Sequence, residues 1–162
     1  MDRAQFEDLM SSFYLMAQQN ILRDGHLTPV VLVVKGDKTA VIVLEYGSDE
    51  EKAAAFARVN FVLRRLKPDA AINIAEAWMV KADTGKNIET VAPSDHPLRV
   101  ECIIVAGMTD FLSSLKLGEV IRDGNGKIAD VKEQDLSYPG GSAYIKIFEG
   151  VFETQFSETA AA

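Results

Sequence analysis

The chain has 162 residues, 48% apolar and 25% charged, a size and balance that fit one globular domain with one core and exclude a disordered or fibrous protein. Its formal net charge of −7 repels phosphate backbones and anionic lipid, which sets nucleic acid and membranes aside as partners. A single cysteine, Cys102, excludes an intramolecular disulfide and any cysteine-based metal cluster within one chain.

The N-terminal stretch begins acidic and lacks a continuous apolar h-region. No run approaches the roughly 18 apolar residues of a membrane span, so a cytoplasmic location is expected. Residues 3 to 23 place Phe6, Leu9, Met10, Phe13, Met16, Ala17 and Ile21 at three- and four-residue spacings. That period predicts a helix capped by Asp2 and ended near Asp24 by Gly25.

"PVVLVVKGDKTAVIVLEY" then predicts two strands, 29–35 and 39–46, joined by a two-residue turn at Gly36 and Asp37. Both runs are apolar at consecutive positions rather than alternating, so both faces of this hairpin are expected to be covered. A second helix is predicted over 49–67. Ser48 and Glu51 are spaced as a capping box, acids fill the first turn, and Pro68 terminates it. Its apolar stripe reads Phe56, Val59, Leu63 and Leu66, broadened by Ala55 and Val62. "RRLK", residues 64–67, complements the negative end of the helix macrodipole and is not read as an anion patch.

The third strand, 70–81, alternates between a face of Ile72, Ile74, Glu76, Trp78 and Val80 and one of Ala71, Asn73, Ala75, Ala77 and Met79. The small residues of the second face admit close approach, and the strand is expected to be internal. A loop over 83–97 precedes a fourth strand, 98–107, returning antiparallel beside the third. A second hairpin follows, "LKLGEVIRDGNGKIADVK", turning at 123–126. After the break at 138–141, Tyr144, Phe148, Phe152 and Phe156 recur at helical spacing, which predicts a short helix capped by Ser142. Residues 1–156 thus read as one domain with a frayed tail, 157–162.

The expected fold class is α+β: a mainly antiparallel sheet of about six strands with two long amphipathic helices, in the order α-β-β-α-β-β-β-β and a short final helix. In its first five elements this order resembles the roadblock and profilin-like arrangements; the likeness is one of element order and implies no function.

No catalytic motif stands out. Glu76, between Ile74 and Trp78, needs a cation or water if it is to stay ionised, and Arg99 on the fourth strand is its expected partner. An odd-sum register would place Arg99, Glu101, Ile103 and Val105 on the Glu76 face; an even one would place Leu98, Val100, Cys102 and Ile104 there. Trp78 reads first as core and second as an aromatic anchor in a subunit interface. His26 and His96 lie in separate loops without ligand spacing, so a metal could be held only if they converged with Asp24 and Asp95. "SDH", 94–96, cannot form the serial geometry of a catalytic triad, and "DGNGK", 123–127, reads as a hairpin turn rather than a phosphate or calcium loop. Cys102, in an apolar strand, reads as inert filler. No cofactor is implied.

Two functions compete on this reading. One is a non-catalytic binding domain acting as a homo-oligomer, expected to be a homodimer, because two helices cover both faces of six strands only if they split across the sheet; a domain that binds another protein is a further class with no particular residue behind it. The alternative is a small enzyme for a small polar anionic substrate, with Glu76 and His96 as acid–base groups and Arg99 as anion holder beside the 83–97 loop.

Overall fold

The computed structural model of the chain describes residues 1–80, 95, 97–135, 146–148 and 150–152. The elements are α1 (Arg3–Asp24), β1 (Val30–Lys35), β2 (Lys38–Val43), α2 (Asp49–Leu66), β3 (Ala70–Met79), β4 (Val100–Met108), β5 (Ser113–Arg122), β6 (Ile128–Glu133) and a 3-10 turn at Lys146–Phe148. All strands pair antiparallel in one sheet of order β2-β1-β3-β4-β5-β6. The α+β class and the element order are those expected. Among the described residues no helix is long and apolar enough to cross a membrane.

Local chemistry explains the helix ends. The Asp2 side chain accepts from the Gln5 amide at 2.8 Å while the Gln5 side chain accepts from the Asp2 amide, a reciprocal cap on α1. Gly25 ends the helix in the left-handed region at φ 80°, its N–H donating to the Ile21 carbonyl. At α2, Ser48 Oγ accepts from the Glu51 amide, but the Glu51 carboxylate accepts from the Gly47 amide rather than from Ser48. Lys67 closes α2 at φ 46°, a conformation that costs a side-chain-bearing residue.

The two helices do split across the sheet, so each face has its own helix and the number of helices does not by itself call for a partner. Phe6, Met10, Tyr14, Ala17 and Ile21 of α1 pack on Leu32, Val34, Ile72, Ile74, Ile103, Val105, Val120, Ile128 and Val131. Phe56, Val59 and Leu63 of α2 pack on the opposite face against Val31, Val33, Ala71, Ala106 and Met108, joined there by Phe148 and Phe152. The small β3 residue Ala71 sits under α2, as its size suggests. On the α1 face two strand glycines serve the same purpose: a Cβ at Gly107 would meet Met10, Phe6 and Ile72, and one at Gly118 would meet Tyr14, Val131 and Ile103.

Several sequence expectations need correction. Tyr14, absent from the expected α1 stripe, is 4% exposed, whereas Met16 lies outside the core. Val62 and Leu66, expected in the α2 stripe, are exposed because Ala55 and Asn60 share the buried side with Phe56, Val59 and Leu63. The hairpin is not covered throughout: β1 is buried on both faces, but β2 is exposed at every position except the half-buried Ile42. The reason is the strand order, which puts β1 inside the sheet against β3 and leaves β2 at its edge. The 123–126 turn forms as expected, with the Asp123 carboxylate accepting from the Asn125 and Lys127 amides. Of the expected C-terminal helix, the described part is the 3-10 turn and residues 150–152; Ser142 and residues 153–162 lie outside the described residues.

Candidate functional site

The register of β3 on β4 pairs Glu76 with Ile103 and Trp78 with Glu101, an odd sum, so Glu76, Trp78, Arg99 and Glu101 share the α1 face. The Arg99 guanidinium lies over the Trp78 ring, 4.9 Å from its centroid. The expected Glu76–Arg99 ion pair does not form; half-buried Glu76 makes no ion pair among the described residues. The carboxylate that captures an arginine is Glu101. Its two oxygens accept from Arg122 Nε at 2.8 Å and from the second terminal nitrogen at 2.7 Å, which raises the Arg122 pKa further. This pair depends on the β4–β5 register, which no local pattern in the sequence discloses.

Trp78 is 45% exposed and therefore not core. The β3 residues in the α1-side core are Ala70, Ile72 and Ile74, while Glu76 and Trp78 farther along the strand are half-buried and exposed. His26 is exposed and its Nδ1 lies 3.1 Å from the Asp24 carbonyl oxygen. Asp95 is exposed, and His96 lies outside the described residues, as does most of the 83–97 loop. Among the described residues no group of three or more His, Cys, Asp or Glu side chains is arranged to hold a metal. Cys102 is buried; burial, with Glu101 adding to it, pushes its thiol pKa up to about 11, so the thiolate is scarce at neutral pH.

The most unusual feature of the described surface is the outer side of β2. Residues 39–44 read Thr-Ala-Val-Ile-Val-Leu, with no charge, proline or glycine. Val41 and Val43 are 60% and 55% exposed, and no described strand pairs with this edge. The backbone geometry follows from the turn. A two-residue connection makes Lys35 and Lys38 the first hydrogen-bonded pair, so Ala40 and Ile42 also bond to β1, and the Leu44 amide donates to the Pro29 carbonyl at 2.8 Å. The N–H and C=O groups of Thr39, Val41 and Val43 consequently point away from the sheet.

Natural proteins commonly blunt such an edge with charge, a bulge or a cover. The opposite edge, β6, has all three: Asp130, Lys132 and Glu133 along it, a register irregularity against β5 at Ile121 and Arg122, and the flank of α1, whose Gln18 amide nitrogen donates to the Val131 carbonyl at 3.0 Å. Along β2 the pairing to β1 is regular, no described element covers the edge, and the one charge is Lys38 at the turn end. Instead the edge is flanked by grooves on both faces. On the α1 side a groove of about 280 Å³ runs between Met16, Ala17 and Val41, with His26 at its rim. On the α2 side one of about 390 Å³ lies between Ile42, Leu44, Val59 and Val62. Exposed Val62 thus lines the same groove as Ile42 and Leu44.

A second surface lies along α2, where residues 146–148 and 150–152 dock. Asn60 Nδ2 donates to the Ile147 carbonyl at 2.8 Å and Arg64 Nε to that of Gly150 at 3.1 Å, while Phe148 and Phe152 enter the core. This is a structural clamp. No family model, no curated protein and no solved structure matches the chain.

Proposed function

We propose that the chain is a non-catalytic binding domain that works as a homo-oligomer. The observation that carries this reading is the outward-bonding edge of β2, uncharged from Thr39 to Leu44, set against a β6 edge that is charged, bulged and covered. An exposed row of unpaired N–H and C=O groups backed by β-branched side chains is a template for strand addition, and main-chain hydrogen bonds supply affinity there. The grooves on either side of β2 add apolar surface next to the strand, with Glu45 and Arg58 lining one and Asp24 and His26 lining the other. Trp78 and Arg99 form a stacked pair on a separate part of the α1 face and are available to a protein partner.

The net charge of −7 on each copy shapes the association: two copies repel over long range, and added salt screens that repulsion. Light scattering coupled to size-exclusion chromatography tests the reading. The expected result is a species heavier than the 17.7 kDa protomer whose share grows with protein concentration and with moderate salt. A monodisperse protomer up to about 100 µM, where an association of micromolar affinity would be populated, refutes it.

A further inference from the structure

We infer that two copies of this chain join β2 to β2, antiparallel about a two-fold axis at Val41, to make one continuous sheet with six strands from each copy. The inference rests on the self-association reading above and specifies its surface and register.

Symmetry limits the choices. Antiparallel edge-to-edge pairing places the two-fold axis along the sheet normal, so each face of one copy continues as the same face of the other. Residues directly opposite each other must therefore lie on the same face, and Val41 can face only an odd-numbered residue. Centring the axis on Val41 sets Thr39 opposite the partner's Val43, Val41 opposite the partner's Val41, and Val43 opposite the partner's Thr39. These three positions are the ones whose backbone groups point outward, so the register forms six N–H···O bonds and uses every free group of the strand. Centring on Ile42 instead moves Thr39 opposite the partner's Glu45, beyond the end of β2, and leaves part of the edge unused.

Side chains agree with this register. The α1 face gains a central Val41 pair flanked by two Thr39–Val43 pairs, β-branched contacts that suit adjacent strands. The other face gains two Ala40–Ile42 pairs beside Val62. Since α1 packs on β1 and on β3 to β6 and stands off from Val41 across a groove, no described helix lies over the Val41 face. A second copy is the occupant the edge fits, because the strand is complementary to itself in hydrogen bonding and carries no charge between residues 39 and 44 to be repelled. Complete burial of the exposed parts of β2 and Val62 from both copies would remove at most on the order of 1,000 Å², the low end for a specific interface.

Cysteine cross-linking on the full chain reads the register. Val41→Cys brings two thiols within disulfide range across the axis, whereas Ile42→Cys faces the partner's Ala40 and finds no thiol; Cys102 is buried and does not compete. Mild oxidation is expected to give a covalent dimer from Val41→Cys and none from Ile42→Cys. Val41→Lys, which sets two like charges face to face, is expected to weaken association ~100-fold with an unchanged far-ultraviolet spectrum. Cross-linking of Ile42→Cys but not Val41→Cys overturns the register. A wild-type dimer that neither cross-links through Val41→Cys nor responds to Val41→Lys overturns the edge inference while leaving self-association standing. A wild-type monomer removes both. A monomer that binds an extended peptide at β2 would show that the edge serves another chain, and overturns the inference as well.

Discussion

Replacing Gly107 by alanine tests the packing of α1 on the sheet. The added Cβ would meet the Met10 sulfur in hard overlap, Phe6 Cζ at 3.0 Å and Ile72 Cγ1 at 3.2 Å. All three neighbours are fully buried, so none can swing into solvent to make room. Overpacking of this kind costs about 1–3 kcal/mol, offset by about 0.5–1 kcal/mol from replacing a strand glycine, for a net loss of about 1–2 kcal/mol. The assay is urea unfolding followed by far-ultraviolet circular dichroism at one low protein concentration, because association adds apparent stability. Met10→Ala sharpens the test. Alone it should cost about 2–5 kcal/mol, but in the Gly107→Ala background the cost should fall by about 1 kcal/mol, since the new methyl occupies space the methionine vacates. An unchanged or raised midpoint for Gly107→Ala, or strict additivity in the double variant, refutes the claim that this glycine exists to let α1 approach.

Two other predictions follow from individual side chains. Burial, helped by the negative field of Glu133 and Asp130, pushes the Tyr14 phenol up to about 12 from 10.0, and its hydroxyl has no hydrogen-bond partner among the described residues. The unfolded chain gives up this proton first, so the contribution of Tyr14 is intact below pH 10 and is lost as the pH rises towards 12. Tyr14→Phe should leave neutral-pH stability unchanged or higher and flatten that alkaline slope in urea titrations; a large loss at pH 7 would mean the hydroxyl is satisfied. Lys67→Gly, at the one non-glycine residue with positive φ among those described, should stabilise by about 0.5–1 kcal/mol in thermal unfolding, the left-handed penalty less the extra freedom of the unfolded chain.

Much of the fold is legible in the sequence where the determining chemistry is local. Asp2, Gly25, Ser48 and Pro68 mark helix ends through groups a few residues away, and Gly36-Asp37 and Asp123–Gly126 mark turns in the same manner. The differences arise where a distant element decides. β1 and β2 are almost equally apolar, yet β1 is interior and β2 is edge because β3 adds to β1, a choice settled some thirty residues downstream of the hairpin turn. Trp78 looks like core on its strand, but it stands farther along β3 than the residues that join the α1-side core. Arg99 and Glu76 share a face as expected, yet the cation goes to the indole, and the true carboxylate–arginine pair, Glu101 with Arg122, spans strands whose relative register local patterning does not determine. The open edge itself was visible only as an excess of hydrophobicity; recognising it required knowing the strand order.

Amide hydrogen exchange along β2, compared at dilute and concentrated protein, tests the central claim most directly. If the edge is paired in solution, the amides of Thr39, Val41 and Val43 become protected together as concentration rises, while those of Ala40 and Ile42, already bonded to β1, change little. Persistent fast exchange at Thr39, Val41 and Val43 across that range, beside protected neighbours, would show a bare edge on a solitary protomer and contradict the account.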